Sequence, residues 1–290
     1  MSVATKTANP EFDAFVAAHP GNDLDEGHGE PVVMVHGNPT WSFFYRRLVE
    51  RLSPSFRAIV PDHVGCGLSE KPDDSRYDYT LSRRVSDLEA LLDHLDVREK
   101  INLIVHDWGG MIGMAYAVSH PDRIARLVVM NTAGFHLPQS KSFPAALWLC
   151  RDTPLGAWMV RGLNAFARGT AVIGCTRNRL PRSTRNAYVA PYDSWAHRIA
   201  IHRFVQDIPL KPEDRSHHLV SWVQDRLPLL QNKPIFLGWG MKDFVFDRHF
   251  LDEWIRRFPN AEVHKFEKAG HYVLEEEAEE LIPAIERFLK

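Results

Sequence analysis

This chain of 290 residues has few cysteines, little net charge and no long apolar run, and each absence excludes a class of protein. Its three cysteines, Cys66, Cys150 and Cys175, lie far apart, which excludes a disulfide framework and predicts no metal site. The net charge of −2 gives no reason to expect nucleic acid as a partner. Since no segment reaches about 18 apolar residues and no signal peptide is visible, we expect a cytoplasmic protein without membrane insertion.

Apolar segments of strand length alternate with segments of helical spacing along most of the chain. The predicted strands are residues 31–36, 56–61, 103–105, 124–131, 235–240 and 261–266. Helical patterns at 41–52, 81–95, 111–118 and 275–289 separate or follow them. The alternation predicts an α/β fold, with a mostly parallel central sheet and helices on both faces.

Residues 135–218 depart from this alternation of strands and helices, because they contain no convincing buried strand. Their helical fragments, at 145–149, 157–168, 183–188 and 195–204, are interrupted by prolines. We expect an inserted helical cap domain here, with residues 1–134 and 219–290 forming the core domain. The cap is expected to lie over the carboxyl edge of the sheet, where open α/β sheets bind ligands.

The most informative stretch is the predicted strand–turn–helix around Asp107, which is followed by Gly109 and Gly110. Hydrolases with such a turn carry a nucleophile at its apex, usually serine. An aspartate there needs no base to ionise it, and its attack on an sp3 carbon with a leaving group gives an alkyl ester. A simple helix N-cap aspartate would give the same pattern.

An aspartyl ester needs a base to activate water and an acid to orient that base. His271, after the last strand, is the candidate base, and Asp243, after the strand before it, is the candidate acid, with Asp247 as a rival. The resulting order of nucleophile, acid and base is that of the α/β-hydrolase fold. A loop histidine and a turn aspartate remain the alternatives for these two positions.

A pocket for developing negative charge is expected from the backbone N–H groups near Asn38 and of Trp108. Both residues also carry neutral side-chain donors, an amide and an indole, which suit a chloride or bromide ion in an apolar cavity. Asn38 also precedes Pro39, and a turn residue there, or packing alone for Trp108, would explain the same residues.

Four motifs together resemble those of the haloalkane dehalogenases within the α/β-hydrolases, over about residues 24–290. They are His36-Gly37-Asn38-Pro39-Thr40, Asp62-His63-Val64-Gly65-Cys66-Gly67-Leu68-Ser69-Glu70-Lys71-Pro72, His106-Asp107-Trp108-Gly109-Gly110 and Gly270-His271. The resemblance implies Asp107 as nucleophile, His271 as base, Asp243 as acid, and Asn38 with Trp108 as the halide-binding pair. The combination of Asn38, Trp108 and Asp243 is similar to the third subfamily, and Asn131 excludes the version in which other members place the acid as glutamate.

The resemblance implies hydrolysis of a carbon–halogen bond, with a small hydrophobic substrate and a halide ion as ligands and no cofactor. Oligomerisation stays possible. Substrate size is expected to depend on residues of the predicted cap, namely Phe143, Leu147, Trp148, Phe166, Ile173 and Trp195.

Three alternatives to the dehalogenase interpretation remain open. The β-lactone decarboxylases of bacterial long-chain olefin biosynthesis are similar at the same motifs, and would use the same aspartate to open a lactone before carbon dioxide leaves. Epoxide hydrolases share part of the pattern and would need two tyrosines as acids, for which Tyr188 and Tyr192 are candidates. A hydrolase-fold receptor without activity is the third alternative, although no residue of the catalytic set is missing.

Overall fold

The computed structural model describes residues 9–19 and 24–290, and a twisted sheet lies at its centre. The strands are β1 (Leu24–Glu26), β2 (Pro31–Val35), β3 (Arg57–Val60), β4 (Ile101–Asp107), β5 (Ile124–Thr132), β6 (Ile235–Gly240) and β7 (Glu262–Phe266). Their order in the sheet is β1-β3-β2-β4-β5-β6-β7, and only the edge pair β1–β3 is antiparallel among the described strands. The predicted α/β class is therefore confirmed.

Helices cover both faces of this sheet. Those before β5 are α1 (Pro10–Ala18), α2 (Arg46–Leu52), α3 (Leu81–His94) and α4 (Trp108–Ser119). Those between β5 and β6 are α5 (Ala145–Asp152), α6 (Pro154–Arg161), α7 (Ala165–Ile173), α8 (Arg182–Val189), α9 (Ile199–Gln206) and α10 (His217–Arg226). Those after β6 are α11 (Arg248–Arg257), α12 (Val273–Glu276) and α13 (Ala278–Leu289), and short 3-10 turns occur at Ser42–Tyr45, Pro121–Arg123, Ala196–Arg198 and Leu227–Leu230.

The core lies in two layers because successive side chains of a strand point to opposite faces of the sheet. Val33 and Val35 of β2 pack into the layer beneath α3, α4 and α11. Val32 and Met34, between them, pack into the layer beneath α2 and α13. All four side chains are fully buried, which explains why β2 is apolar at every position rather than alternating.

The chain between β5 and β6, all of it described, contains helices and no strand. Helices α5, α6, α7 and α9 pack on one another, whereas α10 packs against α4 of the core. The predicted fragment 157–168 is wrong as one helix, because α6 ends at Arg161 and Asn164 adopts a left-handed backbone with φ 54° before α7 begins. Whether residues 135–218 act as a separate cap domain stays a prediction. Within the described ranges, no helix is both long and apolar enough to span a membrane.

The parallel strands bring their carboxyl ends to one edge, where Val35, Asp107, Thr132, Gly240 and Phe266 lie. Asp107 ends β4, and the loops after β2, β6 and β7 carry Asn38, Asp243 and His271 respectively. Residues separated by more than two hundred positions in sequence are thus delivered to one place by the topology of the sheet.

The first turn of α4 lies so close to the neighbouring strand ends that positions 109 and 110 have no room for a side chain. A Cβ at Gly109 would stand 1.9 Å from the carbonyl oxygen of Val35, and one at Gly110 would stand 1.9 Å from Oγ1 of Thr132. Asp107 just before it has φ 52°, a left-handed conformation that is costly for a side chain with a Cβ. Close packing of this turn therefore holds Asp107 in a strained position.

We predict that Gly109→Ala lowers the free energy of unfolding by about 1–3 kcal/mol, because the new methyl group meets backbone rather than a movable side chain. Gly169→Ala is the matched control: Gly169 lies inside α7, and a Cβ there meets nothing within 4 Å. That control should stabilise the protein by about 0.5–1 kcal/mol. Urea denaturation followed by circular dichroism measures both, and equal stability of Gly109→Ala and the parent would contradict the close approach.

Candidate active site

Asp107, a residue that is 7% exposed, stands at the end of β4 at the floor of an internal cavity. Its backbone carbonyl accepts a hydrogen bond from the Thr132 hydroxyl at the end of β5. A Cβ on Gly37 would overlap its carboxylate, with a contact of 2.1 Å to Oδ1. Gly37 thus permits the loop after β2 to close over this carboxylate.

One oxygen of the Asp107 carboxylate is held by a backbone donor. Oδ1 accepts the N–H of Asn38 at 2.6 Å. Burial raises the pKa of Asp107 above its usual value, although nearby His271 and the backbone N–H groups of Asn38 and Trp108 act in the opposite sense. The N–H of Asn38 thus holds one carboxylate oxygen as a donor of an oxyanion hole would, with the N–H of Trp108 near the same carboxylate.

The other oxygen faces the predicted base. Nε2 of His271 lies 3.6 Å from Oδ2 of Asp107, and Nδ1 of the same ring lies 2.8 Å from Oδ2 of Asp243. Burial alone would lower the pKa of His271, but the charge of Asp243, its hydrogen bond and the charge of Asp107 together raise it. The imidazole is therefore favoured in its charged form between two carboxylates.

The structure separates the two candidate acids. Asp243 is buried and its second oxygen accepts the N–H of Val245 at 2.7 Å. Asp247 instead caps α11 through the N–H of His249 and pairs with Lys141 at 2.6 Å. Asp107, His271 and Asp243 are therefore brought together, and Asp247 is used elsewhere.

Asn38 and Trp108 both line the cavity, but their side chains are placed differently. The Asn38 amide donates to the carbonyl of Ile201 at 3.1 Å, and its Oδ1 is buried with no partner in the described structure. Trp108 packs at 5.3 Å on Phe204, and its indole N–H has no acceptor among the described residues. One amide hydrogen of Asn38 is thus committed to Ile201, which leaves the other and the indole N–H for a ligand.

The cavity above Asp107 has about 940 Å³ of empty space, including its mouth. Its walls are mostly apolar, with Met111, Phe135, Leu147, Phe166, Phe246 and Phe250 among them. Of the side chains expected to set substrate size, Phe143, Leu147 and Phe166 line it. Trp148, Ile173 and Trp195 are about half exposed at the surface and do not, so that part of the expectation is wrong.

The two tyrosines considered as epoxide acids lie outside this cavity. The Tyr188 hydroxyl donates to Glu275, which is also paired with Arg46. The Tyr192 hydroxyl lies 3.4 Å from both the N–H of Gly67 and the carbonyl of Thr40. Because both rings are buried and neither lines the cavity, the epoxide interpretation loses the donors it required.

Some residues that support the site escaped sequence reasoning. Asn131, noted only as a missing acid, donates to the carbonyls of Gly240 and Phe246 and accepts the N–H of Gly240 at 2.8 Å. It thereby fixes both ends of the loop that carries Asp243. The one available signal was its place at the end of a strand beside the site. His106 similarly contacts the carbonyl of His271 through Nε2 at 2.9 Å.

Among the described residues, no cluster of three or more histidine, cysteine, aspartate or glutamate side chains could hold a metal ion.

Several known proteins are similar to this chain in amino-acid sequence or in fold. The family model described as alpha/beta hydrolase fold matches residues 30–278. The cis-3-alkyl-4-alkyloxetan-2-one decarboxylase of Shewanella oneidensis is 56% identical over 281 residues, covering 96% of this chain and 88% of that protein. The decarboxylase of the same name from Xanthomonas campestris pv. campestris is 50% identical, covering 92% and 91%.

Dehalogenases are more distant relatives. Haloalkane dehalogenase 2 of Mycobacterium bovis is 31% identical over 267 residues, covering 91% of this chain and 90% of that protein. The crystal structure of haloalkane dehalogenase DbeA from Bradyrhizobium elkani superposes with a TM-score of 0.82 at 23% identity, covering 92% of each chain, and shows the shared fold alone.

These identities correct the function expected from the motifs. The expectation of a haloalkane dehalogenase is wrong, because two relatives named as decarboxylases share 50–56% of their residues with this chain and the M. bovis dehalogenase shares 31%. The motifs alone did not separate the decarboxylase interpretation from the dehalogenase one. With a family model over most of its length and relatives over nearly all of it, this chain belongs to the alpha/beta hydrolase fold family.

Proposed function

We propose that this protein is a decarboxylase of cis-3-alkyl-4-alkyloxetan-2-ones, which are four-membered β-lactones with two alkyl substituents. The products would be an alkene and carbon dioxide. The observation that carries the proposal is the 56% identity, over 96% of the chain, to a relative with that name. The cavity agrees with it, because a buried carboxylate lies beneath walls suited to alkyl chains.

The first step is an in-line displacement at the ring carbon that bears the lactone oxygen, C4. Oδ2 of Asp107 forms a bond to C4, and the C4–O bond breaks with its electron pair passing to the lactone carboxylate. This step resembles displacement of a halide, except that the leaving group stays attached through C3. Oδ1 becomes the carbonyl oxygen of the ester while it remains hydrogen-bonded to the N–H of Asn38, with the N–H of Trp108 near the same carboxyl group.

The second step returns the enzyme without water. The bond between C3 and the carboxylate breaks, its electron pair forms the C3–C4 double bond, and the C4–Oδ2 bond breaks to restore the Asp107 carboxylate. Inversion at C4 in the first step places Oδ2 anti to the carboxylate. Anti elimination then gives a cis alkene from a cis lactone.

The other polar residues of the site stabilise the negative charge that forms on the lactone oxygens. We infer that His271, protonated and held by Asp243, balances the carboxylate released from the ring rather than activating water. The free N–H groups of Asn38 and Trp108 would donate to the lactone oxygens in place of a halide. The apolar walls favour loss of carbon dioxide, because they solvate a carboxylate poorly.

The protein should convert a cis-3,4-dialkyl-β-lactone into equal amounts of alkene and carbon dioxide, measured by gas chromatography. Asp107→Ala should slow this by about a thousandfold or more, because the nucleophile is lost. Asp247→Ala serves as the control, since Asp247 pairs with Lys141 away from His271. A β-hydroxy acid as the main product would contradict decarboxylation.

Turnover in water labelled with a heavy oxygen isotope tests the absence of a hydrolytic step. After many turnovers, the tryptic peptide 101–123, which contains Asp107, should keep its unlabelled mass, because no water attacks the ester carbonyl. Protein incubated without lactone is the control. Incorporation of heavy oxygen into Asp107 would show that the ester is hydrolysed and that His271 acts as a base for water.

Asp243→Asn should lower the pKa of His271, because the negative charge that favours the imidazolium is removed while the side chain keeps its shape. If the imidazolium is needed, activity should then be lost at a lower pH as the pH rises. NMR titration of the ring and the pH profile of turnover measure the two effects. Asp247→Asn should move neither, and an equal shift in both variants would contradict the assignment of Asp243.

A further inference from the structure

The helical segment between β5 and β6 exposes an unusual amount of apolar surface. Seven of the nine large apolar side chains that are exposed in the described structure lie between positions 148 and 195. Trp148, Leu155 and Trp158 are each more than half exposed, as is Ile173. An exposed cluster of this kind in one segment marks a surface that contacts something other than water.

These side chains lie on helices that pack against one another, α5 with α6 and α6 with α7. Leu155 and Trp158 are three residues apart and therefore share one side of α6. On α7, a Cβ at Gly169 would meet only open space, and Ile173 follows four residues later on the same side. We define the α5–α7 surface by Trp148, Leu155, Trp158, Arg168 and Ile173.

The central part of this segment is strongly basic, although the whole chain is slightly acidic. Residues 153–192 contain no aspartate, glutamate or lysine, and their six arginines are Arg161, Arg168, Arg177, Arg179, Arg182 and Arg185. Because the chain carries a net charge of −2 and this segment carries +6, the remainder carries −8. In the described structure Arg168 is exposed and forms no ion pair, and the guanidinium of Arg161 lies 4.7 Å from the ring centre of Trp195.

The helices of this surface also form walls of the cavity. Leu147, next to exposed Trp148, lines it from α5, and Phe166 and Thr170 line it from α7. A molecule bound to the α5–α7 surface would therefore stand one helix thickness from the space above Asp107.

From this combination we infer that the α5–α7 surface binds peripherally to the face of an anionic lipid bilayer. Tryptophan is favoured at the boundary between headgroups and acyl chains, and clustered arginines are attracted by anionic headgroups. A second copy of the chain fits less well, since a symmetric interface would place the same arginines against each other. Uptake of a dialkyl lactone from lipid would follow, a consequence that rests on the proposed function, whereas the binding itself does not.

Sedimentation with substrate-free vesicles tests this inference on the full chain. The protein should bind vesicles of phosphatidylcholine mixed with phosphatidylglycerol, bind pure phosphatidylcholine more weakly, and dissociate as salt rises. Trp148→Gln with Trp158→Gln, and separately Arg161→Gln with Arg168→Gln, should each lower the partition coefficient at least about tenfold.

Leu229→Gln and Arg248→Gln are the matched controls, because both side chains are exposed outside this segment. They should bind as the parent does. Failure to bind anionic vesicles, or equal binding by all variants, would overturn the inference. So would a dimer in sedimentation analysis that is lost in the tryptophan variant without lipid binding. If the protein converts a detergent-dispersed lactone but does not bind vesicles, the inference is wrong and the proposed function stands. If it binds vesicles but does not convert the lactone, the proposed function is wrong and the inference stands.

Discussion

A buried negative charge on Asp107 is the constraint around which the rest of the site is built. An isolated carboxylate in an apolar cavity is costly, and it persists only where donors and opposite charge compensate it. The backbone N–H of Asn38 donates to one oxygen, the N–H of Trp108 lies near the same carboxylate, and His271 faces the other oxygen. The glycines at 37, 109 and 110 are required by the same constraint, because any side chain there would push the surrounding strands and loops away from the carboxylate.

Much of the scaffold could be predicted from the sequence because its signals are local. Ile235–Gly240 coincides with β6, and 31–36 and 261–266 each differ from their strands by one residue. The strand β1 was missed, since three residues on the edge of the sheet give no periodicity. The break between α6 and α7 was missed because it depends on a left-handed backbone at Asn164. The side chain of Asn164 donates to the carbonyl of Tyr192, which lies 28 residues later in the sequence.

The site could be placed more reliably than its chemistry. Chain order and strand ends sufficed to nominate Asp107, Asp243 and His271, which the fold gathers within hydrogen-bonding or ion-pair distance. Nothing comparable in the sequence identifies the substrate, because neutral donors such as those of Asn38 and Trp108 suit a halide and a carboxylate equally. The role of Asn131 was invisible for another reason: its three hydrogen bonds join segments more than a hundred residues apart.

The groups proposed to react and the side chains of the cavity wall come from different parts of the chain, and this separation has a consequence for how substrate range can change. The proposed reacting groups lie at the end of β4 and in the loops after β6 and β7, whereas Leu147, Phe166 and Val205 of the cavity wall come from α5, α7 and α9. Substitutions in those helices can alter the length or branching of the alkyl chains that the cavity accepts, without moving the proposed reacting groups. The range of accepted substrates can therefore change while the reaction stays the same.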